Sequence, residues 1–300
     1  GIDTTPLIIR MIGTIRSEDV TGLNSNGYLQ VKGCINVTLE GIGEDATLYG
    51  FGVLVRNCLN VEVRNLGFMK FTDDALSLDT NNRNIWVHNN DFFYGSAGSD
   101  SDQAKGDGSC DIKGKSTYVT IAYNHFYDSG KSSLCGMSDT EEFFVSYHHN
   151  WFDHSDSRHP RIRVGTVHIY NNYFDGNAKY GVGVTKGSSA FVEKNVFRNC
   201  KYPMMSSMQG TDIATGDGTF SSEDGGMIKA YDNQISGESA IVYAKDDATQ
   251  FDAYKASSRE EQVPDTYKTV QGGTIYNNFD TSDSMYAYTP TEVSDVAQEV

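Results

Sequence analysis

A short run of alternating apolar and polar residues, closed by a phenylalanine, recurs along the chain. Clear copies are Val61–Phe68, Ile85–Phe92, Val119–Phe126, Val145–Phe152, Val167–Phe174 and Phe191–Phe197. The closing phenylalanines are separated by 24, 34, 26, 22 and 23 residues. A repeat of this length with strand-like alternation indicates a solenoid.

Each repeat is too short for a strand–helix–strand crossover, and little of the chain has helical periodicity. The pattern therefore predicts an all-β fold, a right-handed single-stranded parallel β-helix with long loops packed on it. Val61 and Val63 are predicted to face the core, and Glu62 to face outward. Recurrent asparagines are predicted to occupy left-handed turns and to bond to the same amide one coil away, and the phenylalanines to stack inside.

The repeat is regular over about residues 7–200 and weakens afterwards. We interpret residues 1–300 as one β-helix domain whose later part, 201–300, is rich in loops. The longest interval contains an insertion at 95–106, and insertions in solenoids form loops on one face, often the binding face. Residues 1–10 are too few to cap the first coil, so we expect a cap upstream.

The formal net charge is −16, from 24 basic and 40 acidic residues. This balance argues against duplex nucleic acid, whose affinity comes from neutralised phosphates. No apolar run approaches the roughly 18 residues of a membrane span. We therefore expect neither nucleic acid nor a membrane as a partner, and we expect a monomer.

Four of the five cysteines form two pairs at a spacing close to one repeat, Cys34 with Cys58 and Cys110 with Cys135. Parallel strands stack about 4.8 Å apart, and a disulfide needs Cα atoms about 4.4–6.8 Å apart. Disulfides between neighbouring coils and stacked buried thiols both fit this spacing.

Positive charge is concentrated in one part of this acidic chain, because Arg158, Arg161 and Arg163 lie within six residues. Lys131 lies in a turn one repeat earlier. Strand alternation turns Arg161 and Arg163 outward. These residues are predicted to form a cationic strip along about three coils, or about 10 Å, long enough for two units of an anionic sugar chain. The alternative is a set of structural salt bridges with surface carboxylates.

Three aspartates are candidates for a metal site. Asp107 and Asp111 lie four residues apart in a loop with glycines, and Asp74 precedes an earlier strand. A β-helix could stack these positions on neighbouring coils, where carboxylates repel unless they are protonated or bridged by a cation. Hard oxygen ligands favour Ca²⁺; the alternative is a set of solvated surface acids. His148 and His149 lack a third ligand at zinc spacing, so we assign them structural roles.

With these motifs, the chain resembles the pectate lyases of polysaccharide lyase family 1. The matching segments occur in the family's order over about residues 6–200. They are 6–15, the repeated strands, Asp107–Asp111, Asp128–Ser133, His148–Asn150, Arg158–Gly165 and Val167–Tyr173.

The resemblance implies a parallel β-helix and Ca²⁺-dependent β-elimination of polygalacturonate by a secreted enzyme. Lys131 and Arg163 match groups that bind a substrate carboxylate, and Arg158 matches the base that removes the C5 proton. Arg161, beside them, is a further candidate for substrate binding. The positions that match the calcium ligands are Asp74, Asp107 and Asp111.

The chain departs from the family pattern in two places. Trp86-Val87-His88-Asn89 stands where the family has Trp-Ile-Asp-His, which predicts a different environment beside the calcium site. The segment from Asp74 to Asp107 is short, so Asp73 or Asp79 could replace Asp74 as a ligand.

Three alternative functions share this fold. A pectin lyase would act on methyl-esterified substrate without a metal and would not need the aspartates. A polygalacturonase would use carboxylates as acid and base and would release saturated products. A β-helix that binds polygalacturonate without catalysis would bind ligand without turnover.

Overall fold

The computed structural model describes residues 4–95, 104–215 and 220–300. Over these residues the strands form an eight-stranded and a seventeen-stranded sheet, and the strands of successive coils pair in parallel. Crossovers between parallel strands are right-handed for steric reasons. The fold is a right-handed parallel β-helix, which confirms the predicted fold class.

Each complete coil contributes one strand to each of three faces, which we number in chain order within the coil. The first face is the eight-stranded sheet, made of Tyr28–Lys32, Gly52–Arg56, Leu76–Asp79, Cys110–Lys113, Leu134–Cys135, Arg161–Ile162, Val182–Val184 and Met204–Ser206.

The second and third faces are joined in the larger sheet. The second face contains Leu59–Arg64, Arg83–His88, Thr117–Ala122, Phe144–His148, Thr166–Tyr170, Ser189–Glu193, Met227–Tyr231 and Tyr254–Lys255. The third face contains Gly67–Met69, Asp91–Phe92, His125–Tyr127, Trp151–Asp153, Tyr173–Asp175, Val196–Arg198 and Gln234–Ser236. At the beginning of the chain, the long strands Leu7–Arg16 and Ile35–Tyr49 run through both faces.

The predicted alternation is confirmed, because Val61 and Val63 are buried in the core whereas Glu62 is partly exposed. The predicted phenylalanine column is also confirmed. Successive rings are stacked with centroids 4.3–5.0 Å apart, in the order Phe68, Phe92, Phe126, Phe152, Phe174 and Phe197. Stacked aromatic side chains bury large apolar areas, so this column links the coils through the core.

A ladder of asparagines runs along the turn between the second and third faces. Each Nδ2 donates to the Oδ1 one coil later at 2.9–3.0 Å, through Asn90, Asn124, Asn150, Asn172, Asn195 and Asn233. The left-handed residue is the one just before each rung; for example, His149 has φ 53° and precedes Asn150. The predicted ladder is therefore confirmed. The predicted left-handed asparagines are confirmed as well, at the position before the rung, where Asn89 and Asn171 have φ 53° and 52°.

Asn150→Ala is expected to lower the free energy of unfolding by about 3–5 kcal/mol. The Asn150 side chain accepts bonds from the backbone and amide of Asn124 and donates to Ile121 and Asn172. Its loss leaves several buried polar groups without partners, at about 1–3 kcal/mol each. Urea denaturation measures the change, and Asn26→Ala, at an exposed turn, is the control. A loss below about 1 kcal/mol would show that the ladder adds little stability.

All five cysteines are thiols in the structure. Of the two alternatives that the spacing allowed, stacked thiols are therefore present and disulfides are not. Cys110 and Cys135 are completely buried on neighbouring strands of the first face. Burial raises the pKa of both thiols. They therefore act as small core side chains.

The stacked strands continue beyond residue 200, as far as Tyr254–Lys255. The end of the chain lies against the second face, where the Tyr286 hydroxyl is 2.5 Å from His168 Nδ1. The helices are short: the 3-10 turns Ser17–Asp19 and Phe279–Thr281, and the α-helices Thr211–Thr215 and Val296–Glu299. In the described part of the chain, no helix has the length and apolar character that a membrane span requires. Most of the predicted insertion at 95–106 lies outside the described residues.

Candidate functional site

The predicted charged residues lie together on the first face and in the turns at its two ends. Gly108 pairs with Lys131, and Lys131 pairs with Ser157, through parallel bridges. These bridges bring the turns that precede three successive strands into register. Arg158 follows Ser157 directly, so it belongs to the same stack of turns.

Three carboxylates lie close together in the turns that precede the strands of this face. Asp73, Asp74 and Asp107 each offer an oxygen atom, and these atoms lie within 4.8 Å of one another. Asp74 Oδ1 also accepts the Gly108 backbone N–H at 3.2 Å, which ties two turns together. Burial, Asp74 and Asp107 raise the pKa of Asp73. We call Asp73, Asp74 and Asp107 the acidic cluster.

Asp111 lies on the strand beside the acidic cluster. Its Oδ1 accepts the Leu134 backbone N–H at 2.9 Å. Lys113 bonds Asp74 Oδ2 at 2.7 Å and lies 3.7 Å from Asp111 Oδ2, so one ammonium group is shared by two carboxylates. Burial and the charge of Asp74 raise the pKa of Asp111 to about 7. A carboxylate whose pKa is raised by a neighbouring carboxylate favours a bound cation.

The metal residues predicted from the sequence are thus brought together, with additions. Asp73, predicted only as a substitute, joins Asp74 in the acidic cluster. Asp79, the other predicted substitute, forms an ion pair with Arg56. Lys113 is not among the predicted residues, although the alternation in Cys110–Lys113 places it on the same side of the strand as Asp111.

Lys131 is buried, and its Nζ bonds Asp107 Oδ1 at 3.0 Å. It is therefore in contact with the acidic cluster. An ammonium group at this position can interact both with Asp107 and with an anion bound over the face.

Arg158 lies in the next turn. Its backbone carbonyl accepts the Ser133 backbone N–H at 2.7 Å, and this bond fixes the position of the residue. Its guanidinium charge opposes the rise in the pKa of Asp111 that burial and Asp74 cause. Among the described residues, no carboxylate lies within ion-pair distance of Arg158. Lys113, Lys131, Arg161 and Arg163 all have such partners.

Arg161 and Arg163 follow at the far end of the row, and both contact one carboxylate. Arg163 Nε donates to Glu223 Oε1 at 2.8 Å, and Arg161 has a terminal nitrogen 3.7 Å from Glu223 Oε2. Arg163 also donates to the backbone carbonyl of Asp139. Glu223 is not among the predicted residues, because it lies 60 residues after Arg163 in an irregular segment with no motif. The predicted strip and the alternative of salt bridges are therefore both present in part.

His88, His148 and His149 lie on or next to the second face, away from these turns. His88, in the segment that departs from the family pattern, is on the second face, where it bonds Glu62 at 2.8 Å and stacks on Trp86. His148 stacks on Tyr170, and His149 stacks on Tyr123, in agreement with structural roles.

A family model described as pectate lyase matches residues 3–291. Pectate trisaccharide-lyase of Bacillus licheniformis is 35% identical over 207 residues, which are 67% of this chain and 59% of that protein. The chain thus matches about 59% of the length of that relative.

Solved structures show the same fold. A pectate lyase from Bacillus sp. N165 in complex with trigalacturonate has a TM-score of 0.68 and 20% identity, covering 98% of this chain and 83% of that one. Pectate lyase C from Erwinia chrysanthemi at pH 9.5 with 30 mM Ca²⁺ has a TM-score of 0.62 and 22% identity, covering 92% and 73%. Because the family model spans nearly all of the sequence, the chain belongs to the pectate lyase family.

Proposed function

We propose that this protein is a pectate lyase that cleaves α-1,4-linked polygalacturonate by Ca²⁺-dependent β-elimination. The observation that carries the proposal is the juxtaposition of the acidic cluster with Lys131, Arg158, Arg161 and Arg163 on one face. Membership of the family and the trigalacturonate bound by a structural relative support the same substrate.

The acidic cluster suits calcium. Its donors are carboxylate oxygens, which Ca²⁺ prefers. Lys113 and Lys131 contact two of these carboxylates, so a bound ion would share them with the ammonium groups. Asp74, Asp107 and Asp111 are the proposed ligands, with Asp73 as a further oxygen donor. A bound calcium would neutralise the uronate carboxylate and so make the neighbouring C5 proton more acidic.

The cationic groups have two proposed tasks. Lys131 and Arg163, with Arg161, bind uronate carboxylates and fix the position of the sugar chain on the first face. Lys131, next to Asp107, also stabilises the negative charge that develops as the C5 proton leaves.

Arg158 is the proposed base. An arginine in water stays protonated far above neutral pH, so the neutral form costs about 7–9 kcal/mol at pH 7 and about 3–5 kcal/mol at pH 10. A carboxylate paired with the guanidinium would add to this cost by stabilising the charged form. The lack of such a partner among the described residues supports Arg158, rather than Arg161 or Arg163, as the base.

We also propose that the enzyme is a secreted monomer and that residues 1–300 act as one β-helix domain. A polymeric substrate, which a cell meets outside its membrane, supports secretion. The match of the family model to residues 3–291 supports a single domain.

The test is an assay for the unsaturated product by its ultraviolet absorbance, on de-esterified and on methyl-esterified polymer, with and without EDTA. We expect product from de-esterified polymer in Ca²⁺ and none in EDTA. Activity on esterified polymer in EDTA would instead indicate a pectin lyase. Saturated products would indicate a hydrolase, and binding without turnover a carbohydrate-binding protein.

The rate is expected to rise at least about tenfold from pH 7 to pH 10, because each pH unit makes the neutral guanidinium about 1.36 kcal/mol less costly. Asp111 acts in the same direction, since below its pKa of about 7 it carries a proton and is a poorer metal ligand. Initial rates measured at saturating Ca²⁺ and constant ionic strength separate the effect of Arg158 deprotonation from the effect of pH on Ca²⁺ binding. A flat profile between pH 6 and pH 10 would argue against Arg158 as the base.

A further inference from the structure

Glu223 belongs to the segment that follows the first-face strand Met204–Ser206, and its carboxylate is held in place from several directions. Its Oε1 accepts from Arg163, and its Oε2 accepts the Thr185 hydroxyl at 3.2 Å. Its backbone carbonyl accepts the Ser207 hydroxyl at 2.6 Å, and Ser207 is completely buried. The carboxylate is therefore a fixed part of the cationic end of the row, with its side chain one third exposed.

The Glu223 carboxylate lowers the net positive charge at the place where a sugar chain would bind to Arg161 and Arg163. Arg161 and Arg163 carry two positive charges, and Glu223 offsets one of them. The net charge of this group is therefore close to +1. Without a carboxylate beside them, the two guanidinium groups would bind two ionised uronates best. Next to a neutral methyl ester, one guanidinium group would lose its hydrating water and gain no negatively charged partner. With Glu223 in place, the guanidinium groups remain paired when one of the sugars is neutral.

We propose that Glu223 is a specificity-determining residue that lets this end of the site accept a methyl-esterified galacturonate beside an ionised one. This inference rests on the proposed lyase function and adds to it a substrate class, the partially esterified polymer. Glu223 acts on the substrate through the charge of Arg161 and Arg163.

Glu223→Gln is the informative change, because glutamine removes the charge and keeps an oxygen to accept from Arg163 Nε, while its amide nitrogen can donate to the Thr185 hydroxyl oxygen. We expect the KM for de-esterified polymer to fall about three- to tenfold, as removal of a unit charge a few ångströms from the bound carboxylate implies. We expect kcat to change less than about twofold. The KM for partially esterified polymer is not expected to fall, because a neutral ester gains little from added positive charge and leaves a guanidinium group unpaired. The preference for de-esterified polymer therefore rises, and added salt reduces the difference.

Glu141→Gln is the matched control. It removes the same charge from an exposed ion pair with Lys115, so both substrates are expected to behave as with the wild type. The inference is overturned if Glu223→Gln leaves the preference between the two polymers unchanged. It is also overturned if the KM rises for both polymers, which would mean that Glu223 only positions Arg163.

A failure of the proposed function looks different, since the wild type would then release no unsaturated product from either polymer. Calorimetric binding of trigalacturonate to the wild type and to Glu223→Gln still tests the inference in that case. Tighter binding by the variant supports it, and equal or weaker binding overturns it.

Discussion

Arg158→Lys is expected to reduce kcat on polygalacturonate by at least about 100-fold, within the 10²–10⁴-fold range typical of a general base. Lysine keeps the positive charge that binds an anion but places one compact ammonium group where the guanidinium presents several nitrogens. Substrate binding is therefore expected to persist while proton removal fails. Steady-state rates and trigalacturonate affinity, measured on the same preparation, separate the two effects.

Arg198→Lys is the matched control for this change. Arg198 bonds Asp175 through two nitrogens on the third face, away from the proposed site. It is expected to keep wild-type activity. If Arg158→Lys kept more than about a tenth of the activity with the same pH profile, another group would have to be the base.

Asp111→Asn is expected to raise the Ca²⁺ concentration needed for half-maximal activity by about 10- to 100-fold, because calcium affinity depends strongly on the number of charged ligands. The amide oxygen of asparagine can still accept the Leu134 backbone N–H, so the strand is expected to stay intact. The measurement is a Ca²⁺ titration of the elimination rate from EDTA-treated protein.

The same substitution has a readout that does not depend on activity. Burial and Asp74 raise the pKa of Asp111 from 3.8 to about 7. The folded state therefore holds this proton more tightly than the unfolded state, and stability falls as pH rises from about 4 to 7. In EDTA at pH 8, Asp111→Asn is expected to raise the melting temperature and to reduce its increase on adding Ca²⁺.

Asp91→Asn is the control, because the Asp91 side chain is 76% exposed on the third face. It is expected to leave both the Ca²⁺ titration and the melting temperature unchanged. A wild-type response to Ca²⁺ in Asp111→Asn would remove Asp111 from the metal site.

The regular part of the fold could be predicted because one local pattern is repeated many times. Each copy of the repeat specifies an alternating strand and a closing phenylalanine, and stacking then follows from burial of the apolar face. Phe126 and Asn124, for example, lie where the pattern predicts them. The cysteine spacing could not separate thiols from disulfides, because one coil spacing satisfies both.

The centre of the site could be predicted for the same reason. Asp107, Lys131 and Arg158 occupy equivalent turns in successive coils, so the repeat alone brings them into register. Glu223 could not be predicted. It reaches Arg163 from an irregular segment, and only three-dimensional packing determines that contact.

The most direct test of the proposed site is a crystal structure of Arg158→Lys with Ca²⁺ and trigalacturonate. We predict an ion about 2.3–2.6 Å from oxygens of Asp74, Asp107 and Asp111. We also predict a sugar carboxylate beside Lys131 and Arg163 on the first face. A sugar chain bound on another face, or an acidic cluster without the ion at saturating Ca²⁺, would contradict the proposed site.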